Sequence, residues 1–216
     1  MVYKIHFHEV YPIIEHDSKK YLIDTGAQIS LSKDGNIKLG DINYLTPKEN
    51  KGISPETISK FIGFEIDALI GATVLNKNKY ELNYSKEEFN IGDDANNASV
   101  EVKNIAGIPS TVIEINGSQK RMFIDSGAKI SYLNGIQFSP DDEEVEDFYP
   151  PNMIFKTQLS SLKVSDEMGD IEMKFGSLPN SISPLLDHYN VDGILGYEYL
   201  MKRVLSIKHW ALTITH

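Results

Sequence analysis

Tyr21-Leu22-Ile23-Asp24-Thr25-Gly26-Ala27-Gln28-Ile29-Ser30 runs from an apolar segment into an acid at a glycine turn. The chain does so again 101 positions later, as Met122-Phe123-Ile124-Asp125-Ser126-Gly127-Ala128-Lys129-Ile130-Ser131. The basic pair Lys19-Lys20 before the first copy is answered by Lys120-Arg121 before the second. Each copy reads as a buried strand whose glycine lets the backbone reverse just after the carboxylate, so the acid stands on a rigid base. An Asp followed by a small hydroxyl residue and Gly is by itself a common turn recipe. Two copies, one in each half of a 216-residue chain, predict two similar lobes.

The repetition extends further. Phe64-Glu65-Ile66-Asp67-Ala68-Leu69-Ile70-Gly71 is matched 125 positions on by Tyr189-Asn190-Val191-Asp192-Gly193-Ile194-Leu195-Gly196. Before each lies a short helical signal, Ser54-Pro55 with Ile58, Phe61 and Ile62 on one face, and Ser183-Pro184-Leu185-Leu186. Each half closes on a predicted hairpin, Tyr80 to Ile91 and Val204 to Ile214. The polar, turn-rich stretch Gly92 to Asn97 separates the halves, giving lobes at 1–95 and 96–216. The second half has 24 more residues between its acid and its apolar-Gly motif. They fall between about Asp141 and Leu178 and predict two strands around Pro150-Pro151-Asn152, a projecting hairpin.

Composition is that of an ordinary globular chain, 41% hydrophobic, with few long helical patterns and an all-β expectation. A formal charge of −10 argues against nucleic-acid binding and mildly favours cationic partners. No apolar run is long enough to span a membrane, and Met1 to Val10 carries His6, His8 and Glu9 rather than a signal-peptide core. With no Cys as well, a cytoplasmic location is favoured, and an exported form whose leader has been removed stays open. The six His show no metal-ligand spacing, so neither metal nor cofactor is expected.

Two strands ending in acids and related by a repeat imply lobes that face each other with Asp24 and Asp125 meeting at the axis. Like charges a few ångströms apart do not both ionise cheaply, so one carboxyl keeps its proton and the pair titrates as a unit. One acid and one base across a water is suited to amide hydrolysis. Thr25 and Ser126 put a hydroxyl beside each acid, within reach of the opposite lobe's backbone.

Asp24-Thr25-Gly26-Ala27 and Asp125-Ser126-Gly127-Ala128, followed by Leu69-Ile70-Gly71 and Ile194-Leu195-Gly196, resemble the aspartic peptidases. Ala after the Gly is similar to retroviral-type members and their bacterial relatives, while two lobes in one chain look like pepsin. The resemblance covers nearly the whole chain. It implies an all-β fold of two pseudo-two-fold-related barrel lobes with a few short helices, and an endopeptidase acting on peptide or protein as a monomer. Asp24 and Asp125 would be catalytic, with Thr25, Gly26, Ser126 and Gly127 supporting them and Ala27 and Ala128 on the substrate side. A β-hairpin flap closes over substrate in that family. Pepsin-like members carry it on the first lobe, but here only the second has the room, placing the flap at Tyr149, Pro150, Pro151 and Asn152 with Tyr149 at its tip. Pepsin-like members commonly have Ser or Thr where Ala27 and Ala128 stand. Losing those hydroxyls withdraws hydrogen bonds that favour the charged carboxylate, so activity is expected at mildly acidic to neutral pH.

Two other functions compete with this one. The chain could be an inactive peptide-binding pseudo-peptidase, in which both acids merely cap turns, or an actin- or hexokinase-like phosphotransferase with Asp-x-Gly phosphate loops. Asp67 and Asp192 read as caps of backbone amides. The run Asp141 to Asp147 reads as a solvated loop with scope to favour basic substrate residues, and Trp210 as core. The terminal strands, Tyr3 to Phe7 and Ala211 to Thr215, are expected to pair near Val100 to Val102 in a sheet bridging the lobes beneath the acids.

Overall fold

The computed structural model describes residues 1–92, 102–150, 153–208 and 211–215. Strands dominate and helices are few, so the fold is all-β. In the first half, β1 (Val2–His8), β2 (Tyr11–His16) and β3 (Lys19–Ile23) follow one another as an antiparallel meander. In β1 the alternation turns Tyr3 and Ile5 inward and Val2, Lys4 and His6 outward. Next come β4 (Leu31–Ser32) and a small hairpin, β5 (Asn36–Leu39) with β6 (Ile42–Leu45). That hairpin places Ile37, Leu39 and Tyr44 in the core.

Helix α1 (Pro55–Ile62) starts as its sequence dictates. The Ser54 side chain accepts from the Thr57 amide, Pro55 occupies the first turn, and Gly63 ends the helix at φ 67° with its amide on the Ser59 carbonyl. Ile58 and Ile62 face inward. There follow β7 (Ala68–Ile70), a single helical turn α2 (Ala72–Leu75), and the hairpin of β8 (Tyr80–Asn83) and β9 (Glu88–Ile91).

The second half repeats the plan with β10 (Val102–Ile105), β11 (Ile108–Ile115), β12 (Ser118–Ile124) and β13 (Ser131–Leu133). Its extra residues form β14 (Glu143–Tyr149), the long β15 (Met153–Asp166) and β16 (Gly169–Gly176). It closes with α3 (Ser183–His188), β17 (Gly193–Leu195), α4 (Tyr197–Lys202), β18 (Val204–Lys208) and β19 (Ala211–Thr215).

Register shows the duplication residue by residue. Strand β3 pairs in parallel with β7 as Tyr21 to Ala68, Leu22 to Leu69 and Ile23 to Ile70. Strand β12 pairs in parallel with β17 at the equivalent positions, Met122 to Gly193, Phe123 to Ile194 and Ile124 to Leu195. The antiparallel partner on the other side of each also matches, Leu31 against Leu69 and Tyr132 against Ile194. As expected of caps, Asp67 accepts from the Lys20 amide at 2.9 Å and Asp192 from the Arg121 amide at 2.8 Å.

The two sheets close differently. In the second half β11, β12, β17, β13, β16 and β15 form a ring, completed where Glu114 and Ile115 of β11 pair with Ser165 and Val164 of β15. The first-half sheet stays open, in the order β19-β18-β8-β9-β1-β2-β3-β7-β4. Its far edge is supplied by the end of the chain, because Leu205 of β18 pairs with Leu82 of β8.

A sheet therefore does join the halves, through β18 on β8, and β19 lies near β10, the strand that follows the segment expected beside it. Strand β1 lies between β2 and β9, β19 pairs with β18, and β10 pairs with β11. Residues 100 and 101 of the expected partner segment lie outside the described residues, as do Pro151, Asn152 and Trp210. One buried cluster runs through both halves, from Ile5, Ile23 and Phe89 to Ile124, Phe175 and Leu205. Each such side chain contributes roughly 1.5–3 kcal/mol on burial. Among the described residues no helix is long and apolar enough to cross a membrane.

Candidate functional site

Strands β3 and β12 deliver Asp24 and Asp125 to the junction of the halves. The Asp24 amide donates to the Ile70 carbonyl at 3.0 Å and that of Asp125 to the Leu195 carbonyl at 2.9 Å, each continuing its parallel ladder by one residue. The loop beyond each acid is pinned by the apolar-Gly element of the same half. Ala27 O accepts from the Ala72 amide at 2.8 Å and Ala128 O from the Tyr197 amide at 3.0 Å. Gly71 N donates to Ser30 Oγ at 2.9 Å and Gly196 N to Ser131 Oγ at 3.0 Å.

The halves are then locked to each other beneath the acids. Thr25 Oγ1 donates to the Ile124 carbonyl at 2.8 Å and accepts from the Ser126 amide at 2.9 Å. Ser126 Oγ donates to the Ile23 carbonyl at 2.8 Å and accepts from the Thr25 amide at 3.0 Å. All four bonds are buried, and each residue uses its hydroxyl and its amide on the other half. Tyr84 lies under this lock, its hydroxyl 3.4 Å from Ser126 O, with Phe7 and Tyr197 packed on its ring.

Above the lock the two carboxyls come together, each lying over the glycine that follows the other acid. Gly26 and Gly127 make that approach possible. A Cβ on Gly26 would overlap the Asp125 carboxylate, and one on Gly127 would come within 2.6 Å of Asp24 Cγ. Asp24 Oδ1 accepts from the Ala27 amide at 2.9 Å and Asp125 Oδ1 from the Gly127 amide at 2.8 Å.

Burial, then the Asp125 charge, then the hydrogen bond between the two groups hold the Asp24 carboxyl well above the ordinary carboxylate range. Burial also raises Asp125, but the Gly127, Gly26 and Ala128 amides and Asp24 itself oppose the rise. Both acids are thus raised by burial, and the pair shares one proton and titrates as a unit. Such a pair can take a proton on one side and give one on the other.

No family model matches this chain, and no curated protein matches it significantly.

Strands β14 and β15 form a hairpin that reaches from the second half across the acids, with Tyr149 paired to Met153 next to its turn. Tyr149, 41% exposed, lines the space over the carboxylates together with Pro150, and the charges of Asp125 and Asp24 add to burial in raising its hydroxyl pKa. The adjacent Phe148 rests on the first half: its ring stacks on Phe61 of α1 at 4.8 Å and 9° and contacts Tyr11.

Two cavities share Gly26, Ala27, Asp125 and Tyr149 in their walls. One, of about 340 Å³, is walled by Leu31, Ile108, Phe123, Ile182, Leu186 and Tyr189 and lacks Asp24. The other, of about 220 Å³, contains Asp24 and Ala128 and extends to Tyr11, Tyr132, Asp147 and Phe148.

The sequence reading of Asp141 to Asp147 as a solvated loop is corrected at its end. Glu143 and Glu144 are exposed strand residues, whereas Asp147 is 9% exposed and accepts a hydrogen bond at Oδ2 from the Tyr132 hydroxyl. Its Oδ1 accepts from the Phe148 amide at 2.9 Å. Burial raises its pKa, while the Tyr132 hydroxyl, the Phe148 amide and Lys129 oppose the rise. A signal for this was present in Val145-Glu146-Asp147-Phe148-Tyr149, where a two-residue period puts Asp147 on the face of Val145 and Tyr149. Tyr132 and Phe148 carried no comparable mark.

Proposed function

We propose that this chain is an aspartic endopeptidase of two lobes, with Asp24 and Asp125 as its catalytic pair and the β14–β15 hairpin as its single flap. The reciprocal Thr25 and Ser126 bonds, which bring two half-buried carboxyls together on the floor of a cleft, carry this reading. The matched registers of β3 with β7 and of β12 with β17 support the aspartic-peptidase type of fold.

In the proposed reaction Asp125, ionised, takes a proton from a water molecule lying against both carboxyls, and the water oxygen attacks the scissile carbonyl carbon. Asp24 gives its proton to the carbonyl oxygen as the carbon becomes tetrahedral. Collapse breaks the C–N bond: a hydroxyl proton returns to Asp24 and Asp125 hands its proton to the leaving nitrogen, leaving two fragments and the starting pair. The fixed separation of the acids supplies positioning. The Gly26, Gly127 and Ala128 amides around Asp125 hold the charge on the side that acts as base.

Tyr149 and Pro150 would cover the bound peptide, and the two cavities would take side chains on either side of the bond. Incubation with a mixed-peptide library across pH tests the reading. Wild type should generate defined cleavage products that Asp24→Asn and Asp125→Asn do not, and a chain that binds peptides without cutting any would refute it.

A further inference from the structure

The smaller cavity holds a carboxylate that the proposed reaction does not use. Asp147 sits on β14 two residues before Tyr149, on the same face, and its strand neighbour across the hairpin is Phe155. Tyr132, whose hydroxyl donates to Oδ2, has Phe155 packed on its ring, so the carboxylate is held in place from behind. The hydroxyl and the Phe148 amide use two of its roughly four acceptor positions.

Among the described residues no Lys or Arg forms an ion pair with Asp147. The cation nearest in effect, Lys129, donates to Glu9 Oε2 at 2.9 Å instead. Asp24, Asp125 and Asp147 line this cavity against one cation, Lys129, which is tied to Glu9, so the lining is acidic on balance, as is the chain's net charge of −10. A buried carboxylate with spare acceptor positions and no counter-ion is stabilised by whatever brings it a cationic donor.

We propose that Asp147 is a specificity-determining residue, which receives the ammonium or guanidinium of a substrate side chain adjoining the scissile bond. This rests on the peptidase reading for the words substrate and scissile, though the cation site itself does not. The apolar cavity on the other side, walled by Phe123, Leu186 and Tyr189, takes a hydrophobic residue. The chain thereby selects a bond flanked by one basic and one apolar side chain. Tyr132 acts through Asp147 as a positioning residue, fixing the rotamer of the carboxylate.

The test uses peptides in which one lysine near the bond is replaced by norleucine, which keeps the aliphatic stem and removes the charge. Wild type is compared by kcat/KM, and the Asp125→Asn chain by equilibrium binding. Lysine is expected to be favoured by about tenfold or more at one position, the range of a charge-assisted hydrogen bond. In Asp147→Asn the lysine-to-norleucine ratio should fall towards one, while Tyr132→Phe, which keeps the carboxylate but frees its rotamer, should lower the ratio only part of the way. The wild-type comparison stands even if a variant fails to fold. Cleavage without lysine preference, a preference that survives in folded Asp147→Asn, or failure of every peptide to bind overturns the assignment. Lysine-selective binding with no cleavage by wild type overturns the peptidase reading and leaves the cation site standing.

Discussion

Thr25 and Ser126 each receive the other's backbone amide on a side-chain oxygen, at 3.0 Å for Thr25 N to Ser126 Oγ and 2.9 Å for Ser126 N to Thr25 Oγ1. Thr25→Val keeps the shape and removes the hydroxyl, orphaning the Ser126 amide and the Ile124 carbonyl in a buried site. Each unsatisfied group costs about 1–3 kcal/mol. The urea midpoint should drop accordingly for Thr25→Val and for Ser126→Ala. The double variant should cost less than the two single losses added together, because they break one network. Strict additivity would show that the two hydroxyls act separately.

The acid pair sets a second expectation. Asp24→Asn and Asp125→Asn each remove one half of the proton exchange, and kcat on a cleavable peptide should fall by about 10²–10⁴-fold or more. Gly26→Ala should be inactive as well, and less stable, since its methyl would occupy the space of the Asp125 carboxylate. Retained turnover in Gly26→Ala would mean that the carboxyls need not touch.

Stability should depend on pH in a direction set by the same burial. Asp24, Asp125 and Asp147 all have raised folded pKa values, with burial the largest cause. The folded chain therefore binds more protons than the unfolded one between the ordinary Asp value, about 3.9, and the raised values. Their contribution is fully present below that ordinary value and is lost as pH rises through the folded ones. Asp17, Asp34 and Asp170, lowered mainly by lysine partners, act oppositely and lose their contribution under stronger acid. The melting temperature should rise on going from neutral to mildly acidic buffer, and Asp24→Asn should flatten that slope. A melting temperature that falls throughout acidification, equally in both chains, would contradict a proton held between the two acids.

Phe148 and Phe61 tie the β14–β15 hairpin to α1 of the opposite half. Stacked aromatic pairs contribute about 0.5–1.5 kcal/mol beyond the area that they bury. Phe148→Ala should loosen the hairpin, raising KM several-fold with a smaller change in kcat and speeding proteolytic nicking near Pro150. A change in kcat alone would place Phe148's role in the chemical step rather than in closure.

Much of this organisation was legible because it is written locally. An apolar strand, an acid and a glycine turn mark their own positions, and recurrence in the same order identified the matched β3–β7 and β12–β17 cores. The Ser54-Pro55 start of α1 and the strands on either side of Pro150 were equally readable. Pairing between distant segments was not. Nothing in Leu205 or Leu82 states that they will lie side by side, since alternation fixes which face a residue shows but not which strand lies next to it. Asp147 was hidden for a related reason. It ends a run of acids that reads as solvated, and although alternation from Val145 to Tyr149 marks its face, nothing local names Tyr132, the partner from another strand that holds it there.

The strand that completes the first-half sheet comes from the last part of the chain, with Leu205 beside Leu82 and Ile207 beside Tyr80. During translation, a ribosome that has released the first half exposes β8 as a bare edge, and it stays bare until β18 emerges. Such an edge is a template for another nascent chain. Truncation before Val204 should therefore produce a polypeptide that clumps rather than one that is merely less active.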